Sequence, residues 1–102
     1  MLRTTYAHNA EYAATNRKQM IMDETRREGY EAFQKQLGAR IREIRLSLGF
    51  LQEDVAQMLG MTRVAIGYIE QGRRAPKLST LYALAQLYEV DIREFFAFVR
   101  ED

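Results

Sequence analysis

The sequence predicts an all-α protein built around a helix-turn-helix, with a partly helical extension ahead of it. Three observations carry this reading. Apolar residues recur at helical spacing through most of the chain, two short amphipathic segments meet at Leu59-Gly60-Met61-Thr62, and the only proline, Pro76, sits in a loop. Residues 1–34 form the predicted extension and residues 35–102 the predicted helix-turn-helix domain.

The hinge follows from individual residues. Gln52 to Gly72 reads QEDVAQMLGMTRVAIGYIEQG, in which Val55, Ala56 and Leu59 give one narrow buried stripe over about two turns. Gly60 ends that helix, because glycine reaches the left-handed conformation at little steric cost. Thr62 then offers a hydroxyl to the free amides of the next helix. So short a turn makes the two helices cross steeply. The second helix, Arg63 to Gln71, buries Ile66 and Ile69, and Gly72 ends it. At about 100° per residue, Val64, Gly67, Tyr68 and Gln71 point away from Ile66, with Arg63 at the border. This face carries few charges, an apolar Val64 and a mid-helix glycine that costs about 1 kcal/mol relative to alanine. The reading is that Gly67 lets the helix approach DNA closely, with Val64 and the Tyr68 ring against thymine methyls and Arg63 near a guanine edge or a phosphate. The alternative is a glycine without a role and a Val64 packed on the preceding helix.

Leu37 to Phe96 resembles a complete lambda-repressor-like domain of the Cro/cI or XRE family. The resemblance rests on Arg45, on Gln52 and Ala56 as Gln-x-x-x-Ala, on Gly60, Ile66, Ile69-Glu70-x-Gly72 and Pro76, and on Leu81 and Ala85. It implies five helices, the third a recognition helix in the major groove of double-stranded DNA. It also implies that Gln52 bonds a backbone phosphate and braces the recognition helix, that Thr62 contacts phosphate or caps, and that Arg63, Val64 and Tyr68 hold base-reading positions. Gly67 replaces the family's usual serine or other polar contact residue, and Tyr68 a frequent basic or amide side chain. Leu51 replaces the usual Ser, Thr or Asn, so the helix after it is expected to start without a side-chain cap. The family pairs Arg45 with Glu70. Helical geometry agrees, since Arg45 lies about 80° from Leu37 and Glu70 about 40° from Ile66, both beside buried stripes. Either charge alone there would be costly, so a partly buried ion pair is expected.

Beyond Gly72, Arg73-Arg74-Ala75-Pro76-Lys77 is a basic loop placed to follow a phosphate backbone, where contacts position a protein without reading sequence. Charge is polarised in the same sense. From Leu37 to Leu78 the cations Arg40, Arg42, Arg45, Arg63, Arg73, Arg74 and Lys77 exceed Glu43, Glu53, Asp54 and Glu70 by three. From Ser79 onward the acids exceed Arg93 and Arg100 by three, so a net +1 hides a basic reading head.

Composition bounds the alternatives. A chain of 102 residues with 47% hydrophobic content suits one domain of modest core. There is no cysteine and a single histidine, His8, so neither a disulfide framework nor a metal site is expected, and no cofactor. Nothing resembles a nucleophile-base pair, which disfavours an enzyme. No long apolar run suggests a signal peptide or membrane span, and the expected location is cytoplasmic.

Leu81, Leu84, Ala85 and Tyr88 make the inner face of a fourth helix. Asp91-Ile92-Arg93-Glu94 reads as a capping-box-like start, followed by a core stripe of Ile92, Phe95, Phe96 and Val99. Phe98 lies off this stripe. The family often pairs its fifth helix across a twofold axis, so Phe98, with Phe95 beside it, is assigned to a homodimer interface. Upstream, Tyr30, Phe33, Leu37, Ile41, Ile44 and Leu48 extend the first helical stripe, with Thr25-x-x-Glu28 as its cap, and Asn9 to Met22 is compatible with another helix. The extension can serve as a dimerisation arm, as a DNA-touching arm through Arg3, Arg17 and Lys18, or as a partly disordered tail. Two functions fit: a dimeric transcriptional regulator at a palindromic operator, the restriction-modification controller type included, or an antitoxin-type protein that masks a partner through residues 1–34 and autoregulates its operon.

Overall fold

The computed structural model describes the backbone of residues 10–99 and the side chains of residues 23–99. It groups the chain into two units, Met1–Tyr30 and Glu31–Asp102. His8 and Arg3 lie outside the described residues, as do the side chains of Arg17 and Lys18. The elements are α1 (Ala10–Ser47), α2 (Gln52–Leu59), α3 (Arg63–Glu70), α4 (Leu78–Tyr88) and a 3₁₀ helix (Ile92–Phe96), with no strand among the described residues.

In the first unit the backbone is helical from Ala10, and an Asp23–Arg26 pair at 3.3 Å spans one turn. The expected start at Thr25 is therefore replaced by an unbroken helix. Gly29 does not interrupt it.

In the second unit, α1 buries Leu37, Ile41 and Ile44 as its spacing predicts. Leu48 is exposed instead, because α1 stops at Ser47 and the chain leaves the helical register. These side chains meet Val55, Ala56, Ile66, Ile69, Leu81, Leu84, Ala85, Tyr88 and Phe95 in one core. Phe50 stacks on Tyr88 at 5.9 Å, and Tyr88 meets Phe95 edge-on at 6.3 Å.

The turn between α2 and α3 is built as its residues require. Gly60 is left-handed at φ 68°, and the following Met61 N–H reaches back to the Ala56 carbonyl at 2.8 Å. Thr62 Oγ1 accepts from Ala65 N at 3.0 Å, so its hydroxyl caps α3. At the start of α2, Leu51 offers no acceptor, and only the reciprocal half of a capping box forms, with Asp54 accepting from Leu51 N at 2.9 Å.

A close crossing of α1 over the end of α3 sets the orientation of α3. A Cβ on Gly38 would collide with the Ile69 carbonyl and lie 2.8 Å from that of Glu70. Gly72, left-handed at φ 74°, sits where a Cβ would lie 2.6 Å from Lys35 Cα, and its carbonyl accepts from Gln34 Nε2 at 2.9 Å.

The fifth helix is a 3₁₀ helix, and this changes which residues it buries. Asp91 accepts from Arg93 N at 2.8 Å, while Glu94 turns to Arg40 at 3.2 Å, so no capping box forms. Glu94 N donates to Asp91 O and Val99 N to Phe96 O, both three residues back. With about three residues per turn, Ile92 and Phe95 align on one face, and the turn that follows the helix carries Phe98 back toward α1. Phe98 accordingly packs on Phe33 with ring centroids 5.4 Å apart, and Val99 is left 49% exposed rather than in the core.

Candidate nucleic-acid interface

The inner face of α3 is locked by a buried ion pair. Arg45 Nε donates to Glu70 Oε2 at 2.6 Å and its second guanidinium nitrogen to Oε1 at 3.0 Å, with side chains only 6% and 1% exposed. The third nitrogen donates to the Phe50 carbonyl at 2.7 Å, so each guanidinium nitrogen has a partner. Hydrogen bonding to Glu70 raises the Arg45 pKa against the opposing effect of burial, keeping the group charged.

Gln52 extends this network outward. Its amide nitrogen donates to Glu70 Oε1 at 3.0 Å, and its oxygen accepts from Arg63 at 3.4 Å. The brace between α2 and α3 is thus present as expected, and it draws Arg63 toward the start of α2. There Arg63, Gln52, Leu51, Glu53 and Arg42 line an open groove. Arg42 has no place in the sequence-based interface. Its signal is nonetheless available, since Arg42 is one turn before Arg45 on α1 and the pattern alone places it beside the helix-turn-helix.

The outer face of α3 departs from expectation at one position. Val64 is 50% exposed, pointing outward as its helical position predicts. Gly67, expected to open the helix toward a ligand, is buried instead: the Gln52 and Gln71 amides lie 3.8 and 3.9 Å from where its Cβ would stand. Helical geometry places Gly67 opposite Ile66 correctly but does not reveal that the Gln52 side chain folds across it.

Tyr68 meets two neighbours that helical periodicity did not place beside it. Its ring carries Arg73 at 4.7 Å and Arg74 at 5.6 Å, and its carbonyl accepts from both backbone amides, at 2.9 and 3.3 Å. Arg73, Arg74 and Lys77 are all exposed. Arg40, by contrast, is paired with Glu43 at 2.7 Å and Glu94 at 3.2 Å, so it adds nothing to the basic face.

Phe95 and Phe98 do not form an exposed interface. Phe95 is 0% exposed at the centre of the core, and Phe98 is half-buried on Phe33, drawn inward by the 3₁₀ helix and the turn that follows it. Among the described residues no acidic, histidine or cysteine group is arranged to hold a metal, and no helix is long and apolar enough to cross a membrane.

An α3 exposed at its first turn, flanked by basic groups at both ends and locked from behind, is the geometry of a DNA-reading helix-turn-helix. The family model described as Helix-turn-helix (HTH_3) matches residues 41–95, more than half of the chain. The chain belongs to this family, in its Cro/cI-like (XRE) branch.

Among HTH_3 relatives, the HTH-type transcriptional regulator PuuR of Escherichia coli is 40% identical over 60 residues, 59% of this chain. The chain spans only 32% of PuuR, about a third of its length. The restriction-modification controller protein C.AhdI from Aeromonas hydrophila is 33% identical with a TM-score of 0.63, over 66% of this chain and 97% of that one. The S. venezulae BldD DNA-binding domain is 33% identical with a TM-score of 0.57, over 63% of this chain and 96% of that one.

Proposed function

We propose that this HTH_3 protein is a sequence-specific regulator of transcription that binds double-stranded DNA in the cytoplasm, as a homodimer on a palindromic operator. The observation that carries the reading is the exposed first turn of α3, Arg63 and Val64, with the exposed cations Arg73, Arg74 and Lys77 beyond its end. An α-helix with its side chains is about 10–12 Å across, which fits a major groove about 12 Å wide. The relatives support it: a transcriptional regulator, a restriction-modification controller and a DNA-binding domain. The match to the controller takes in 97% of C.AhdI and 66% of this chain, so nearly the whole of that protein corresponds to the helix-turn-helix part of this one.

In this reading Arg63 and Val64 meet base edges, and Arg42, Gln52, Arg73, Arg74 and Lys77 hold phosphates. Residues 1–34 act as a dimerisation arm. Half-sites about 34 Å apart, one helical turn of DNA, then follow from the twofold axis. Footprinting the DNA upstream of the protein's own gene, at low and moderate salt, tests the reading. A protected palindrome whose occupancy falls steeply with salt is expected, and failure to bind any duplex at low salt removes it. Sedimentation at micromolar concentration tests the assembly: full-length protein runs as a dimer, and a chain lacking residues 1–24 dissociates.

A further inference from the structure

Tyr68 occupies a place where a helix-turn-helix presents side chains to bases, yet its ring carries two arginines of the following loop. The Arg73 and Arg74 guanidiniums lie 4.7 and 5.6 Å from the ring centroid, on the same residue whose carbonyl holds both of their backbone amides. The loop itself is anchored from the other side. Gln34 donates to the Gly72 carbonyl at 2.9 Å, and Gly72 packs on Lys35 in a left-handed turn that a side chain cannot occupy.

We propose that Tyr68 is a positioning platform for Arg73 and Arg74 rather than a base-reading residue. Resting on the DNA-binding role proposed above, this assigns Tyr68 to affinity for any duplex and leaves base choice to Arg63 and Val64. The physics is twofold. A guanidinium lying over an aromatic face is held by the ring quadrupole through its π face, which leaves its in-plane N–H donors for other partners; Arg73 turns one to Gln71 Oε1 at 3.5 Å and keeps the rest for phosphate oxygens. Two long side chains so held lose less rotamer freedom on binding than two free ones. Phosphate contacts carry no sequence information, so the contribution is general.

The test uses the full chain and two duplexes of equal length, the footprinted fragment and a mixed-sequence control, titrated between about 50 and 200 mM salt. Tyr68→Leu is expected to weaken binding to both duplexes by a similar factor, about fivefold, as an exposed cation–π interaction is removed. Its plot of log affinity against log salt becomes shallower, by up to about 0.9 for each phosphate that the arginines no longer neutralise. Tyr68→Phe keeps the ring and retains wild-type affinity and slope. The double variant Arg73→Gln, Arg74→Gln flattens the slope on its own, and adding Tyr68→Leu to it changes nothing further.

Three results overturn the proposal: Tyr68→Leu loses affinity for the footprinted fragment alone at unchanged slope, it weakens binding equally with and without the two arginines, or the double arginine variant keeps the wild-type slope. The arginine variants keep the question decidable if Tyr68→Leu folds poorly. Wild-type protein that binds neither duplex is a different result, and it removes the underlying DNA-binding role.

Discussion

Glu70 joins three parts of the fold through one carboxylate, receiving Arg45 from α1 and Gln52 from α2 while itself belonging to α3. Breaking a buried pair from one side leaves the other charge uncompensated, so Glu70→Gln should cost about 3 kcal/mol. Thermal melting should fall by roughly 12 °C or more for a domain of this size, and an unchanged midpoint would show the pair to be dispensable. Two glycines give opposite expectations. Gly38→Ala drives a methyl into the carbonyls of Ile69 and Glu70, which are backbone and cannot swing aside, and should destabilise by about 2 kcal/mol or more. Gly67→Ala meets only the Gln52 and Gln71 amides at ordinary contact distance and should gain about 1 kcal/mol of helix stability. Denaturant titration of both variants checks the pair.

Tyr88 adds a pH dependence. Burial, and next the nearby Glu70 charge, push its phenol well above the usual tyrosine range, with Arg45 opposing. The folded state therefore holds the proton more tightly than the unfolded chain, whose tyrosines titrate near pH 10. This stabilisation is complete below about pH 10 and is lost as pH climbs toward the folded value. Wild type should lose stability more steeply than Tyr88→Phe above pH 10. Near neutrality the substitution should cost little, because the buried hydroxyl has no hydrogen-bond partner among the described residues.

At the scale of elements, the turn between α2 and α3 was readable because its signals are local: a left-handed glycine, then a capping threonine, three residues from the amide it accepts. The last helix was not readable in the same way. An apolar sequence such as IREFFAFV satisfies both a 3.6 and a 3.0 repeat, and the choice exchanges Phe98 for Val99 at the core. Packing decides it, since Phe33 on α1 is in place to receive both Phe96, at 6.0 Å, and Phe98. Phe98→Ala is accordingly expected to destabilise the protomer by about 1 to 3 kcal/mol while leaving its mass in solution unchanged. A variant of normal stability that runs as a monomer would return Phe98 to the interface.

At the scale of the molecule, the core formed by the described residues lies within Glu31–Asp102, beginning at Leu37. Removing residues 1–22 should therefore leave the melting of the helix-turn-helix unit within a few degrees of the full chain, measured by circular dichroism. Charge is distributed at this scale too. A count along the sequence credits Arg40 and Arg45 to the basic face, but the fold pairs both with carboxylates and leaves Arg42, Arg63, Arg73, Arg74 and Lys77 outward.

The sequence by itself determined the all-α class, the helix-turn-helix, its caps and the Arg45–Glu70 pair, because each depends on spacing within a few residues or on a motif whose members stand in a specific order. Tertiary structure alone decided that Gln52 covers Gly67, that Gly38 lets α1 touch the end of α3, that Phe98 turns inward, and that Tyr68 carries two arginines. Each of these joins side chains whose meeting depends on how helices cross or on where a loop folds back. Helical periodicity specifies the direction in which a residue points, and packing specifies what it finds there.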